Sequence, residues 1–287
     1  MAEAKFPSAR TLLVLGRVSN LPTVWSNCLC GWLLAGGGSW GRLLLLCFAT
    51  SLLYIGGMYL NDAFDASFDR QHRRQRPIPS GAISESFVWI AGLSLLGVGT
   101  LPLLFLGLDT AVLTVLLVAA ILLYDAVHKA VEFSPVIMAV CRFFLLLVAA
   151  SAAEDGVTGL ALWTAIALAG WIVGLSYVAR RESILGPLAI WPLIALALPI
   201  VLAFLVNNGP YRLRGLLVSA LVITWAALCL RHTFTSIQRN LGRTVSGLLA
   251  GICLVDLLAA PADFPSTLAF VGCFGAALLL QRFIPAT

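Results

Sequence analysis

The chain has 287 residues, of which 60% are hydrophobic and only 11% charged, with a net charge of +5. Globular chains average about 25% charged residues, so this composition excludes a soluble domain with a polar surface. The positive balance does not call for nucleic acid, because it falls in short connections between apolar runs, where it records membrane topology.

Residues 1–16 carry Lys5 and Arg10 but no separate apolar core followed by a small-residue cleavage site. They read as an amphipathic lead-in at the membrane surface rather than a cleavable signal. Ten apolar runs follow, at 17–37, 43–60, 86–107, 110–125, 135–153, 159–178, 186–206, 213–231, 244–260 and 264–283. About 20 residues at 1.5 Å each span a hydrocarbon core of about 30 Å. The chain therefore reads as one all-α, polytopic membrane domain over 1–287 with ten transmembrane helices. Pro261 and Pro265 leave open whether the last two runs are separate crossings. The seven cysteines all lie in apolar runs without a C-x-x-C pair and read as small buried hydrophobes. The pairs Gly36-Gly37 and Gly56-Gly57 read as sites of close helix packing.

Under the ten-run scheme, one side receives fourteen of the eighteen Lys and Arg residues and the other receives Arg42, Arg212 and Arg214, with Arg142 inside a run. That bias makes the first side cytoplasmic, which is the inner face of a cell membrane. On that side, directly after the second run, stands Asn61-Asp62-Ala63-Phe64-Asp65-Ala66-Ser67-Phe68-Asp69-Arg70. Asp62, Asp65 and Asp69, at i, i+3 and i+7, fall within about 60° of one helix face. Like charges on one face repel, and a divalent cation relieves that cost. Mg²⁺ is commonly held by one or two carboxylates with phosphate oxygens and waters. The cations that follow, Arg70, Arg73, Arg74 and Arg76, suit a polyanion, and a diphosphate fits. The competing interpretation is a solvated helix end whose charges pair along i,i+4.

The N-D-x-x-D-x-x-x-D run and the Arg76-Pro77-Ile78-Pro79-Ser80-Gly81-x-Ile83-Ser84 stretch after it resemble the UbiA superfamily of intramembrane prenyltransferases. The second stretch is similar to the chlorophyll-synthase and homogentisate branches. Arg17-Val18-Ser19-Asn20-Leu21-Pro22-Thr23-Val24-Trp25 is similar to the family's first helix, and the resemblance covers essentially the whole chain. It implies an all-helical bundle of nine, or with the last run ten, transmembrane helices around a central cavity, and Mg²⁺-dependent transfer of a prenyl group from an isoprenyl diphosphate to an aromatic or lipophilic acceptor within the membrane. Asn61, Asp62 and Asp65 would hold Mg²⁺ on the diphosphate, with Asp69 in support. Ionising an allylic C–O bond leaves extra negative charge on the diphosphate, which metal and cations stabilise. Phe64, Phe68, Tyr54 and Trp25 are the aromatics available to a carbocation near the mouth.

Tyr124 and a basic residue after it match a family loop that contacts the diphosphate; His128 and Lys129 both qualify by spacing. Arg73, Arg76 and Arg180 are further diphosphate-binding candidates. Arg142, inside an apolar run, is costly there and reads as functional; the resemblance places an arginine in this helix. An acceptor carboxylate, the diphosphate or Glu182 would each serve as its partner. Asp256 reads as a structural polar contact, with Arg239 or Arg243 as partner. The family's second aspartate-rich motif is missing after the sixth run, where Ser176-Tyr177-Val178-Ala179-Arg180-Arg181-Glu182 stands instead, resembling an EboC-like branch. Cations would then neutralise the diphosphate directly, or the chain would bind without turnover. A non-catalytic carrier of an isoprenoid-type amphiphile is the alternative from another class.

Overall fold

The computed structural model describes residues 7–180, 191–234 and 240–286, and among them there are helices and turns but no strand. The helices are α1 (Ala9–Leu15), α2 (Leu21–Leu34), α3 (Trp40–Phe64), α4 (Ala66–His72), α5 (Glu85–Leu104), α6 (Leu108–Val127) and α7 (Ser134–Ser151). They continue with α8 (Gly159–Arg180), α9 (Trp191–Val206), α10 (Arg212–Phe234), α11 (Leu241–Ala250), α12 (Ile252–Ala259) and α13 (Phe264–Leu280). Among the described residues, α3, α5, α6, α7, α8, α10 and the joined α11–α12 are long and apolar enough to cross a membrane; α9 and α13 are apolar but shorter. This is a multi-pass, all-helical membrane protein.

The first run, expected at 17–37, is shorter than its hydropathy suggests. A 3₁₀ turn, Val18–Asn20, leads into α2, which starts with Pro22 in its first turn. Pro is pre-organised there and has no N–H to leave unpaired. After α2 the chain turns through Gly36 and Gly37 at φ +82° and +74°, a backbone that glycine adopts without steric cost. These two glycines make a turn rather than the close helix contact expected of them. Most of α2 is buried, with Val24, Cys28, Cys30 and Leu34 inside and Trp25 exposed. It packs on α3, α7, α12 and α13.

The other glycine pair does bring helices together. A methyl group on Gly56 would lie 2.9 Å from the carbonyl oxygen of Gly92 on α5, and one on Gly99 would lie 2.7 Å from that of Ala49. Small residues let α3 and α5 approach to backbone contact. Of the seven cysteines, expected as small buried hydrophobes, Cys28, Cys30, Cys229 and Cys253 are buried and Cys47, Cys141 and Cys273 are part-buried.

A second, smaller cluster lies under the surface of the bundle. Leu15 of α1, Tyr59, Ala63 and Ala66 meet Ile78, Ile83 and Val88 there. Ile78 and Ile83 thus anchor the loop between α4 and α5, which turns at Gly81 with φ +76°. Ser84 closes the loop as N-cap of α5, accepting from the Phe87 N–H.

Candidate functional site

The acids keep the face that their spacing predicts because the helical hydrogen bonds continue from α3 into α4. The Asp65 N–H donates to the Asn61 carbonyl at 3.0 Å, and the Asp69 N–H to the Asp65 carbonyl at 2.9 Å. Asn61, Asp62, Asp65 and Asp69 are all buried, Asp69 to 1% exposure. Burying a charge needs partners, and three cations supply them. Arg76, returned by the anchored loop, places Nη1 2.8 Å from Asp62 Oδ1 and Nε 3.8 Å from Asp69. Lys129, two residues beyond the end of α6, places Nζ 2.7 Å from Asp65 Oδ1 and 3.8 Å from Asp69 Oδ1. Arg17 lies 3.5 Å from Asp62.

The spacing around Tyr124 left His128 and Lys129 as alternatives, and both reach Asp65, with His128 Nε2 at 3.3 Å. Tyr124 stacks on His128 with ring centroids 5.1 Å apart. Burial pushes the Asp65 carboxyl up, but the hydrogen bonds from His128 and Lys129 outweigh it and hold the group below the ordinary carboxylate value. Lys129 also lies 3.9 Å from the centroid of the Phe68 ring. Phe64 and Trp25 are more than a third exposed.

In the sequence, Arg17 reads as a topological charge and as the first residue of the family-like first helix, with no role beside the acids. Arg17 has φ +43°, the one non-glycine positive φ among the described residues. Left-handed backbone costs an ordinary residue roughly 1–2 kcal/mol and persists where surrounding contacts hold it. Here the guanidinium is held toward Asn61 Oδ1, at 3.4 Å, and Asp62. Asp125, on the last turn of α6, was also passed over. It is buried and accepts from Asn61 Nδ2 at 3.1 Å. A lone carboxylate inside an apolar run was the signal for it.

Arg142 lies deeper, on α7. Its Nη1 donates to Asn27 Oδ1 at 2.7 Å and to the Thr23 carbonyl, and its Nη2 to Thr23 Oγ1 at 2.9 Å. The Tyr54 ring faces its guanidinium carbon at 5.8 Å. Asn27 passes the contact on, donating to Asp256 Oδ2 at 2.8 Å, which also accepts from Ser26. Asp256 therefore pairs with α2 and not with Arg243, which is exposed on another face. The helical period explains the difference, since Asp256 sits on the fully buried α12 that packs on α2. Arg73 is exposed and makes no side-chain bond to the acids among the described residues. The Arg180 side chain, Arg239 and Glu182 lie outside the described residues.

Fold and site together define the class: a multi-pass helical membrane protein with a buried, charge-matched site at one end of its bundle. The sequence pattern of the UbiA prenyltransferase family matches residues 21–241. The chain belongs to that family. It is similar to 4-hydroxybenzoate octaprenyltransferase of Edwardsiella ictaluri (strain 93-146), 39% identical over 102 residues, 32% of this chain and 34% of that protein. The matched regions span 26% to 34% of the length of the curated relatives. A solved structure reported for digeranylgeranylglyceryl phosphate synthase shares the fold, with TM-score 0.61, 20% identity, and coverage of 92% of this chain and 98% of that one. So does a UbiA homologue from Archaeoglobus fulgidus bound to GPP and Mg²⁺, with TM-score 0.53, 13% identity, and coverage of 95% and 99%.

The donor set suits Mg²⁺, which takes hard oxygen ligands. Among the described residues no three His, Cys, Asp or Glu side chains converge on one ion position. One buried oxygen, Asp69 Oδ1, has no hydrogen-bond partner. A site made of one or two carboxylates completed by substrate phosphates matches that arrangement.

Proposed function

We propose that the protein transfers a prenyl group from an isoprenyl diphosphate to a lipophilic acceptor within the membrane. The observation that carries this reading is the pairing of Asp62, Asp65 and Asp69 with Arg17, Arg76 and Lys129 at one end of the spans. Three buried acids matched by three part-exposed cations suit a ligand that brings both a polyanion and a divalent metal. The homologue bound to GPP and Mg²⁺ supports the same assignment.

In this reading Asn61, Asp62 and Asp65 hold Mg²⁺, with Asp69 beside them. Arg17, Arg76 and Lys129 turn from their carboxylates to the diphosphate oxygens, with Tyr124, Arg73 and Arg180 as further contacts. Bound Mg²⁺ would supply charge stabilisation to the leaving diphosphate. Tyr54 is seven residues before Asn61, so it lies about 10 Å further inside on the same helix face. With Arg142, whose guanidinium carbon lies 5.8 Å from its ring, it marks the inner polar end of the site in this reading. The acidic end faces the cytoplasm in this reading, as the Lys and Arg bias requires.

The test is release of diphosphate from labelled geranylgeranyl and farnesyl diphosphates by purified protein, with and without Mg²⁺, beside pooled aromatic acceptors. Release should require Mg²⁺. Asp62→Ala or Asp65→Ala should lower it by at least about 10²-fold, the scale for losing one electrostatic stabiliser, while the variants still fold and insert. Wild-type rates in these variants would sink the metal assignment. Tight Mg²⁺-dependent binding without release, under every acceptor tried, would favour the carrier.

A further inference from the structure

We infer that Asp125 is a positioning residue, whose carboxylate fixes the Asn61 amide with its oxygen turned toward the site. The inference rests on the reading proposed above. Asn61 stands on α3 and Asp125 on α6, so their contact is made between helices. A side-chain amide presents an acceptor at one end and two donors at the other, and a half-turn of the group exchanges them. Both neighbours of Asn61 select the same orientation. Asp125 Oδ1 offers only an acceptor and takes Asn61 Nδ2 at 3.1 Å; Arg17 offers only donors and reaches Asn61 Oδ1 at 3.4 Å.

Asn61 Oδ1 therefore lies on the side of Arg17 and Asp62, among the groups assigned to the diphosphate and its metal. A half-turn would point an NH₂ group there and repel a cation. Arg17 is also one of the cations that turns to the diphosphate, and when it does so Asp125 alone holds the amide. The second oxygen, Asp125 Oδ2, is shut from solvent and has no partner among the described residues. A buried carboxylate left half-satisfied in an apolar helix is costly, and a cation on the far side of the amide would offset that cost. Ligating groups in metal sites are commonly oriented in this way by an outer carboxylate.

The experiment is a Mg²⁺ titration of the full chain in lipid nanodiscs with farnesyl S-thiolodiphosphate as an unreactive probe. The half-saturating Mg²⁺ concentration is read from the rise in unfolding temperature. Asp125→Ala should raise that concentration about 10- to 100-fold, the usual effect of losing an outer-shell partner. Asp125→Asn, whose carbonyl still accepts from Nδ2 but whose NH₂ can also turn to donate, should fall between the wild-type and Asp125→Ala values. Asn61→Ala should have little further effect in the Asp125→Ala background, because the two act as one unit. A mere helix tether predicts a lower unfolding temperature without Mg²⁺ and no change in half-saturation; that result would overturn the inference. So would an Asn variant as impaired as the Ala variant, or effects of the two sites that multiply. If Asp125→Ala does not fold, Asp125→Leu replaces it, with the same branching at Cγ and no acceptor. An unchanged unfolding temperature in the wild type over the whole titration would overturn the reading of the site itself, and this inference with it.

Discussion

At Arg142 a guanidinium is buried among helices with no carboxylate touching it among the described residues; the amide of Asn27 stands between it and Asp256. The relay ties α7, α2 and α12 through one polar thread. Removing the Asp256 carboxylate leaves the Ser26 hydroxyl and the Asn27 amide without their acceptor, at about 1–3 kcal/mol each. Asp256→Ala should therefore lower the unfolding temperature of the detergent-solubilised protein markedly, and a second change, Asn27→Ala, should cost much less in that background than alone. Equal costs in both backgrounds would show that the thread is not coupled. This thread was only half legible in the sequence. An arginine inside an apolar run announces itself, but its partners are 115 and 119 residues away, and no local spacing points to them. The acids at 62, 65 and 69 were legible because helical periodicity alone aligns them. Arg17 was not, because its role depends on a left-handed backbone and a contact across 45 residues.

Among the elements, α3 carries the most. Its inner half packs on α5 through Gly56, Gly92 and Gly99, and its end presents the acids. Gly92→Val forces a methyl group to within 2.8 Å of Leu60 Cδ2, and overpacking of this kind costs roughly 1–3 kcal/mol. The expected result is a lower unfolding temperature together with weaker Mg²⁺-dependent stabilisation by farnesyl S-thiolodiphosphate, since Leu60 adjoins Asn61. Gly97→Val, at a position where an added methyl group meets nothing within 4 Å, should leave both readouts near wild type. The helix positions themselves followed from hydropathy almost run for run. The exception was α2, whose ends are set by Pro22 and Gly36, features that an apolar average hides.

For the whole molecule, the charges and the helix directions make one statement. α3 runs 25 residues, about 37 Å at 1.5 Å per residue, with Arg42 near one end and the acids at the other. A membrane-impermeant thiol reagent should therefore label Arg74→Cys from one side of sealed vesicles and Arg42→Cys and Arg212→Cys from the other. The background would carry no native cysteines. Labelling of all three from one side would overturn the topology. The bundle itself was legible because apolar length decides it. The acids were legible because one helical run supplies them; Tyr124 and Lys129 entered through the family resemblance and Arg142 through its apolar surroundings, because groups from α6, α7 and the turn before α2 come together only by packing.

That turn has one more attachment. The Asn20 side chain donates to the carbonyl of Ala286 at 2.9 Å, and the Ser19 hydroxyl reaches that of Pro285 at 3.5 Å. The segment that aims Arg17 at Asp62 is thus sewn to residues made 266 positions later. During synthesis the acids and the loop with Arg76 leave the ribosome early, but this seam cannot close until residues 285–286 have emerged. The mouth of the bundle is therefore finished only after α13 has been made.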